Sequence, residues 1–393
     1  MGNEVEEGTA HEVDRQAAPI GQRLLVVSPA LANRFAVARG GARRRRRPTR
    51  LAALVVSGLA ISGALGPPAG AAKVVGISEQ HPEMFASPLF QTLDLPIARL
   101  IVAYDAVVRH TREVAAVDAW VRAAQADGVE PLISFNHTAG CYTARGRVPH
   151  LRKCRLPTVA AYRRAFVAFR HRYPGLKVYS PWNEANHRSQ PTGRNPRAAA
   201  RFYNVVRTNC RGCTIVAADV LDQAGMAKWL RTFRHYARGN PRIWGLHNYI
   251  DANNHTTSGT RAMLRAVRGQ VWLTETGGIV KFLHRPFSPG RAARATEFTF
   301  HLANLSSRIT RIYIYQWTGA RRGDRFDAGL TSPLGQPRPA YFVLKRHVRK
   351  RPVKPPYSIP PPPRPAPSPS PPASPQPQPQ PAPCPLAPLP CPA

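Results

Sequence analysis

Two apolar runs that each end in a glutamate limit what this chain can fold into more than any other feature. In Val178-Tyr-Ser-Pro-Trp-Asn-Glu-Ala-Asn-His187, a β-branched and aromatic stretch over 177–182 stops abruptly at Asn183 and Glu184. Val271-Trp-Leu-Thr-Glu-Thr-Gly-Gly278 repeats the device and delivers Glu275. A carboxylate at the end of a buried strand has no packing role. In a parallel α/β barrel, the C-terminal strand tips are where reacting groups collect. The two glutamates are 91 positions apart, which is three strand–helix units of roughly 30 residues each. That spacing places them on strands four and seven of one barrel.

The rest of the sequence supplies the other six strands. Short apolar runs at 73–78, 97–103, 129–135, 214–218, 243–247 and 311–317 read as strands one, two, three, five, six and eight. Helical spacing predicts helices over 111–126, 157–173, 196–209, 226–237, 260–267 and 291–306, with 340–348 closing the ring. Thr111 is expected to cap the first of them. Eightfold alternation favours a closed (β/α)8 TIM barrel over an open doubly wound sheet, in one domain spanning 73–351.

The flanking segments read differently. Residues 1–72 form an N-terminal extension and signal peptide: five arginines at 43–47, an apolar run over 51–65, and small residues ending at Ala72. The run is shorter than the ~20 residues a membrane span needs. A secreted or envelope-associated protein is expected, touching a membrane only if the signal persists as an uncleaved anchor. Residues 352–393 are mostly Pro, Ser, Gln and Ala, with almost no large apolar side chain, a tail expected to be disordered. Six cysteines in an exported chain favour disulfides. Cys141 and Cys154 bracket a loop after strand three, and Cys210 and Cys213 lie on the opposite face. Cys384 and Cys391 pair with each other or outside the chain. A zinc site at His137 and His150, each four residues before a cysteine, is the weaker alternative, because oxidation competes for the thiols. No metal and no cofactor are expected.

Trp182-Asn183-Glu184 followed by Thr274-Glu275 resembles clan A of the glycoside hydrolases, the four-seven retaining glycosidases. The resemblance covers residue 74 to about residue 350 and is to a compact, secreted, actinobacterial-type member. It implies cleavage of an O-glycosidic bond in a polysaccharide or oligosaccharide by double displacement, with Glu184 as acid/base and Glu275 as nucleophile. It also implies that Asn183 bonds the sugar 2-hydroxyl, that the Tyr249 hydroxyl meets the nucleophile, and that Trp317 is an aromatic platform. Arg99 is inward on strand two by alternation and would neutralise and orient Glu275. His247 shares the face of Tyr249, and Asn136 with His137 ends strand three, lining the subsite or capping it. Plainer readings remain for a surface Arg99, a core Trp317 and a salt-bridged pair of glutamates. Asp327 sits in an acidic turn similar to one in the family, with no role assigned. The tryptophan that often follows the clan's arginine is replaced by Ala103-Tyr104-Asp105, so substrate contacts do not carry over. The alternative function is a non-catalytic carbohydrate- or wall-binding protein on the same barrel.

A net charge of +35 fits a basic surface that attracts polyanions, including an anionic polysaccharide or cell-wall polymer. No helix-turn-helix, zinc finger or RNP aromatic pattern is present, so sequence-specific nucleic-acid binding is not expected. A monomer is expected.

Overall fold

The computed structural model describes residues 73–348, apart from 144–145, 148–153, 284 and 322. The expected signal peptide, the first 42 residues, His150, the Pro-rich tail, Cys384 and Cys391 lie outside the described residues.

Eight parallel strands close into a barrel in simple sequential order. They are β1 (Val74–Ser78), β2 (Ile97–Ala103), β3 (Glu130–Asn136), β4 (Val178–Ser180), β5 (Thr214–Leu221), β6 (Ile243–His247), β7 (Gln270–Thr276) and β8 (Ile309–Tyr315). The outer ring is α1 (Glu113–Ala126), α2 (Val159–Arg172), α3 (Pro196–Asn209), α4 (Met226–Tyr236), α5 (Tyr249–Asn254), α6 (Ser258–Ala266), α7 (Pro289–Ala303) and α8 (Pro339–His347). After β1 the chain makes only short turns, over 82–84 and 88–91. Among the described residues, no helix is long and apolar enough to cross a membrane.

Period-two alternation builds the barrel interior in layers. Ile97, Leu132, Val178, Val216, Trp272 and Tyr313 form a closed apolar plug at the N-terminal end. Two residues further along their strands, the inward positions become Arg99, Ser134, Ser180, Thr274 and Tyr315, all buried. The plug seals the floor, and the polar layer above it is the base of the site.

Outside the strands, aromatic side chains lock helix to sheet. Phe135 stands edge-on to Phe166 and Phe169 and stacks on Tyr179. Such pairs contribute roughly 0.5–1.5 kcal/mol each beyond their buried area. Side-chain oxygens cap three helices: Thr158 accepts from Ala161 N, Asn195 from Ala198 N, and Ser288 from Arg291 N. Thr111 does not cap α1, contrary to expectation. The helix begins at Glu113 with Arg112 at its cap position, and the Glu113 carboxylate instead accepts from Ala103 N at 2.7 Å. Strand boundaries shift as well. β4 keeps three of the six expected residues, β5 runs on to Leu221, and β8 starts and stops two residues earlier than expected.

Candidate active site

Glu184 follows β4 on a turn in the left-handed region, φ +46°. A non-glycine residue stays there only when its surroundings hold it. Two short backbone bonds do so: Asn183 N donates to Phe135 O at 2.6 Å, and Ala185 N to Asp219 O at 2.7 Å. The tip of β4 is thus stitched to both neighbouring strands, and its turn aims Glu184 over the barrel axis.

Glu275 is inward because β7 carries an extra residue. Gly245 to His247 on β6 faces Trp272 to Glu275 on β7, and Ile312 to Ile314 on β8 faces Leu273 to Thr276. Plain alternation from Trp272 would turn Thr274 inward and Glu275 outward; the bulge presents both. β5 has the same irregularity between Val216 and Asp219, which rotates Asp219 into the barrel. The two bulges meet at Gly245, where an added Cβ would lie 1.8 Å from Asp219 Oδ1 and 2.7 Å from Thr274 Oγ1. Only glycine fits there.

Arg99 is fully buried and is the centre of the network. Its Nη1 donates to Glu275 Oε2 at 2.8 Å and to Ser78 Oγ at 3.0 Å. Its Nη2 donates to Asn183 Oδ1 at 2.5 Å, Asp219 Oδ2 at 3.0 Å and Ser134 Oγ at 3.2 Å. A guanidinium only donates, so it fixes the Asn183 amide with oxygen inward and offers the NH2 group elsewhere. Tyr249 Oη donates to Glu275 Oε1 at 3.1 Å. Thr274 Oγ1 and Ser134 Oγ complete Asp219 at 2.6 and 2.8 Å. His247 Nδ1 lies 3.5 Å from Glu184 Oε1 and 3.7 Å from Glu275 Oε2. Ligand atoms of Glu184, His247 and Glu275 all lie within 4.8 Å of one another.

Charge in this buried cluster nearly balances. Burial works against the imidazolium of His247, but Glu275, Asp219 and Glu184 overcome it and push its pKa up to about 9. Burial raises Asp219 too, yet Arg99 and His247 hold it well below the usual carboxylate range. Two cations then face three carboxyl groups, so one proton shared by the glutamates makes the cluster neutral. The long-range charges and the direct bonds disagree about where that proton sits. Burial, first, and the charge of Glu184 raise Glu275 against the pull of His247 and Arg99. Glu184, despite burial, is lowered by its His247 contact and by His187, His247 and Arg99. The bonds favour the opposite placement: two donors within 3.1 Å on Glu275, and none on Glu184 Oε1. The direct donors decide for Glu275 as the anion, because a guanidinium at 2.8 Å keeps its charge at any working pH, whereas His247 must itself hold a proton to stabilise Glu184.

The structure brings Arg99, Asn183, His247 and Tyr249 to the two glutamates. Tyr249 gets there as the first residue of α5, two positions past the end of β6. Asn136 and His137 are buried at the tip of β3, where Asn136 Oδ1 accepts from His137 N at 2.9 Å. That bond is of the capping kind, and His137 Nδ1 makes a further local contact with Thr138 O at 3.0 Å. Trp317 is packed as core: it stands edge-on to Phe90 and Tyr341 and is 4% exposed, which leaves little ring face for a sugar. The physical reason is the early end of β8, which leaves position 317 beyond the strand tip. Asp327 is held by both ends of the Arg338 guanidinium at 2.8 and 2.9 Å, a structural pair.

Sequence reasoning missed Asp219, Ser78, Ser134 and Tyr315. Asp219 left a readable signal, a lone acid directly after the apolar run 214–218, at the same kind of position as the two glutamates. As for a metal, Glu184, His247 and Glu275 are the set the described residues offer. Arg99 already occupies Glu275 Oε2 and His247 holds a proton up to about pH 9, so the set suits proton transfer better than cation binding. Cys141 is bonded to Cys154, and Cys210 to Cys213, which removes these sulfurs as zinc ligands.

No protein-family model matches this sequence, and no curated protein does. Solved structures do. A GH5_18 protein from Streptomyces cattleya, in complex with GlcNAc, aligns with TM-score 0.52 at 14% identity, over 70% of this chain and 80% of that one. Xylanase 10B from Thermotoga maritima aligns with TM-score 0.51 at 9% identity, over 70% and 94%. A GH5_18 structure from Bifidobacterium longum subsp. infantis gives 0.51 at 13%, over 70% and 78%. At such identities the likeness is one of fold: this chain has the (β/α)8 barrel that these glycoside hydrolases share.

Proposed function

We propose that this protein is an exported retaining glycoside hydrolase that cleaves an O-glycosidic bond in a polysaccharide or oligosaccharide. The observation that carries the reading is the buried pair at the barrel mouth. One carboxyl oxygen of Glu184 and one of Glu275 lie within 4.8 Å of each other, and Glu275 is held by Arg99 and Tyr249. Retaining enzymes keep their carboxyl groups about 5–5.5 Å apart, and inverting ones about 6.5–9.5 Å, to admit a water. The spacing supports direct attack.

Glu275 attacks the anomeric carbon as Glu184 gives its proton to the leaving oxygen. Glu184 then takes a proton from the water that opens the glycosyl ester. Arg99 and Tyr249 hold the attacking oxygen pair and receive it again as the second step restores its charge. Asn183, its oxygen tied to Arg99, donates from its NH2 group to a sugar hydroxyl. Export is supported by the signal-like N-terminus and by the two cystine pairs.

The test separates the two glutamates. Glu275→Ala should abolish turnover of every substrate, since no glycosyl-enzyme forms. Glu184→Ala should spare the first step for an aryl glycoside with an acidic phenol, slow the second, and be rescued by azide to a product of retained configuration. Azide rescue of Glu275→Ala to a retained adduct would exchange the roles. An inverted wild-type product would overturn the reading.

A further inference from the structure

From Arg155 to Arg242 the chain carries 17 lysines and arginines and three acids. Those three acids, Glu184, Asp219 and Asp222, are all buried in or beside the site. The outer surface of this flank therefore presents cations and no exposed carboxylate. It is built by α2, α3 and α4, which pack side by side. Arg163 and Arg164 on α2, Arg197 and Arg201 on α3, and Lys228 and Arg231 on α4 are all exposed. Arg172 pairs with Asp118 at the edge of α2.

A general preference for arginine in this chain does not explain the pattern. Residues 73–130 hold eight acids and five basic residues, so acids are abundant on one part of the barrel and absent from the surface of another. Like charges spaced i, i+4 (Arg197, Arg201) and i, i+3 (Lys228, Arg231) repel along one helix face. A solitary protein gains nothing from that arrangement. A polyanion laid across the three helices would offset the repulsion, and guanidinium forks fit carboxylates bidentately.

We propose that the α2–α3–α4 flank is a docking face for a linear anionic polysaccharide bearing carboxylates. The choice of polysaccharide over other polyanions rests on the glycosidase reading. The charge pattern does not depend on it. The exposed large apolar side chains of the flank are Val159, Val167 and Tyr236. One aromatic ring makes no row on which bases stack, and scattered valines make no apolar face for a bilayer. The flank follows β3, β4 and β5, whose C-terminal ends carry Asn136, Glu184 and Asp219, so a polymer held there lies alongside the β4 corner of the mouth.

The test uses the full chain, polygalacturonate as probe, and fluorescence anisotropy at several salt concentrations. Binding should fall about tenfold or more between 50 and 200 mM salt. The triple variant Arg197→Ser/Arg201→Ser/Arg231→Ser should weaken binding about tenfold at low salt and flatten the salt dependence. Arg112→Ser/Arg294→Ser/Lys345→Ser, with the same charge change elsewhere on the barrel, should change it less than about twofold. Equal losses in the two variants would overturn the proposal, because the attraction would then be diffuse. So would a wild-type chain that does not bind polygalacturonate. Duplex DNA bound more tightly, and lost with the flank variant, would replace the polysaccharide with nucleic acid. Hydrolysis of a small neutral aryl glycoside is a separate readout. The flank variant should keep it, and a chain that binds polymer but cleaves nothing would sink the glycosidase reading alone.

Discussion

Asp219 sets how much of the Arg99 charge reaches Glu275. The guanidinium divides its bonds between two carboxylates, 2.8 Å from Glu275 and 3.0 Å from Asp219, and both acids are fully buried. Asp219→Asn keeps the shape and an oxygen for Thr274, but takes away one negative charge. Arg99 should then act more strongly on Glu275 and lower its carboxyl. His247 should lose part of the support that holds its pKa at about 9. The acid limb of kcat/KM is expected to move down by about one pH unit, and unfolding by urea should show a loss of about 3 kcal/mol from breaking one side of a buried pair. An unchanged pH profile together with a large stability loss would reduce Asp219 to a structural role. The position also marks the limit of sequence reading. Glu184, Glu275, Arg99, Asn183 and His247 were legible because each stands at or next to an expected strand end or obeys period two, whereas Tyr249, on α5, was reached through the family resemblance. Asp219 was legible only as a lone acid after an apolar run; its inward direction was hidden, because a bulge reverses the inward phase between Val216 and residue 219. Alternation cannot be counted through an inserted residue.

At the scale of elements, eight strands were visible from composition and spacing, whereas their ends were decided by contacts between distant segments. The early end of β8, which removes Trp317 from the mouth, is one case. The seam between the first and last strands is another. Glu79, one residue after β1, accepts from Gln80 N at 2.7 Å, His81 N at 3.1 Å and His81 Nδ1 at 2.7 Å on one oxygen. Its other oxygen accepts from Thr318 N at 2.7 Å, beyond β8, and its carbonyl takes the Trp120 indole N–H at 3.0 Å. One carboxylate thus ties the chain after β1 to the loop that follows β8. No local pattern reveals this, since the partners are 239 residues apart. Glu79→Ala would leave several partly buried donors without this acceptor, and each such loss costs up to about 1–3 kcal/mol. Chemical denaturation should show a loss of about 3 kcal/mol or more. A loss under about 0.5 kcal/mol, the usual range of a surface change, would show that the seam holds without the clamp.

The whole molecule combines a strongly positive surface with buried groups that keep their protons, and the two act in opposite directions on stability. With 56 basic and 21 acidic residues, neutralising carboxylates in acid increases self-repulsion, so stability should fall steeply below about pH 4. Above that point the buried groups take over. Burial pushes Glu113 up to about 7, against its bond from Ala103 N. Burial pushes Asp222 up to about 7, against bonds from the backbone of Asp251 and Ile250. Carboxyls raised in the folded state bind protons that the unfolded chain has released. Their contribution is complete below about pH 4 and is lost as pH rises through about 7. His247 behaves alike at higher pH: its contribution is complete below about 6.5 and is lost as pH rises through about 9. All three therefore weaken the fold between pH 5 and 9. Surface repulsion predicts the opposite slope over that range, because the 13 histidines lose what charge they carry. Each pKa unit is worth about 1.4 kcal/mol, so the buried groups should win, and the melting temperature should drop by roughly 5–10 °C from pH 5 to pH 9. Glu113→Gln keeps an acceptor for Ala103 N and cannot titrate, so it should remove about half of the slope between pH 5 and 7, leaving the share of Asp222 and the part above pH 7 in place. A melting temperature that rises steadily from pH 5 to 9 would mean that repulsion across the basic surface, rather than the protons held in the barrel, governs the stability of this protein.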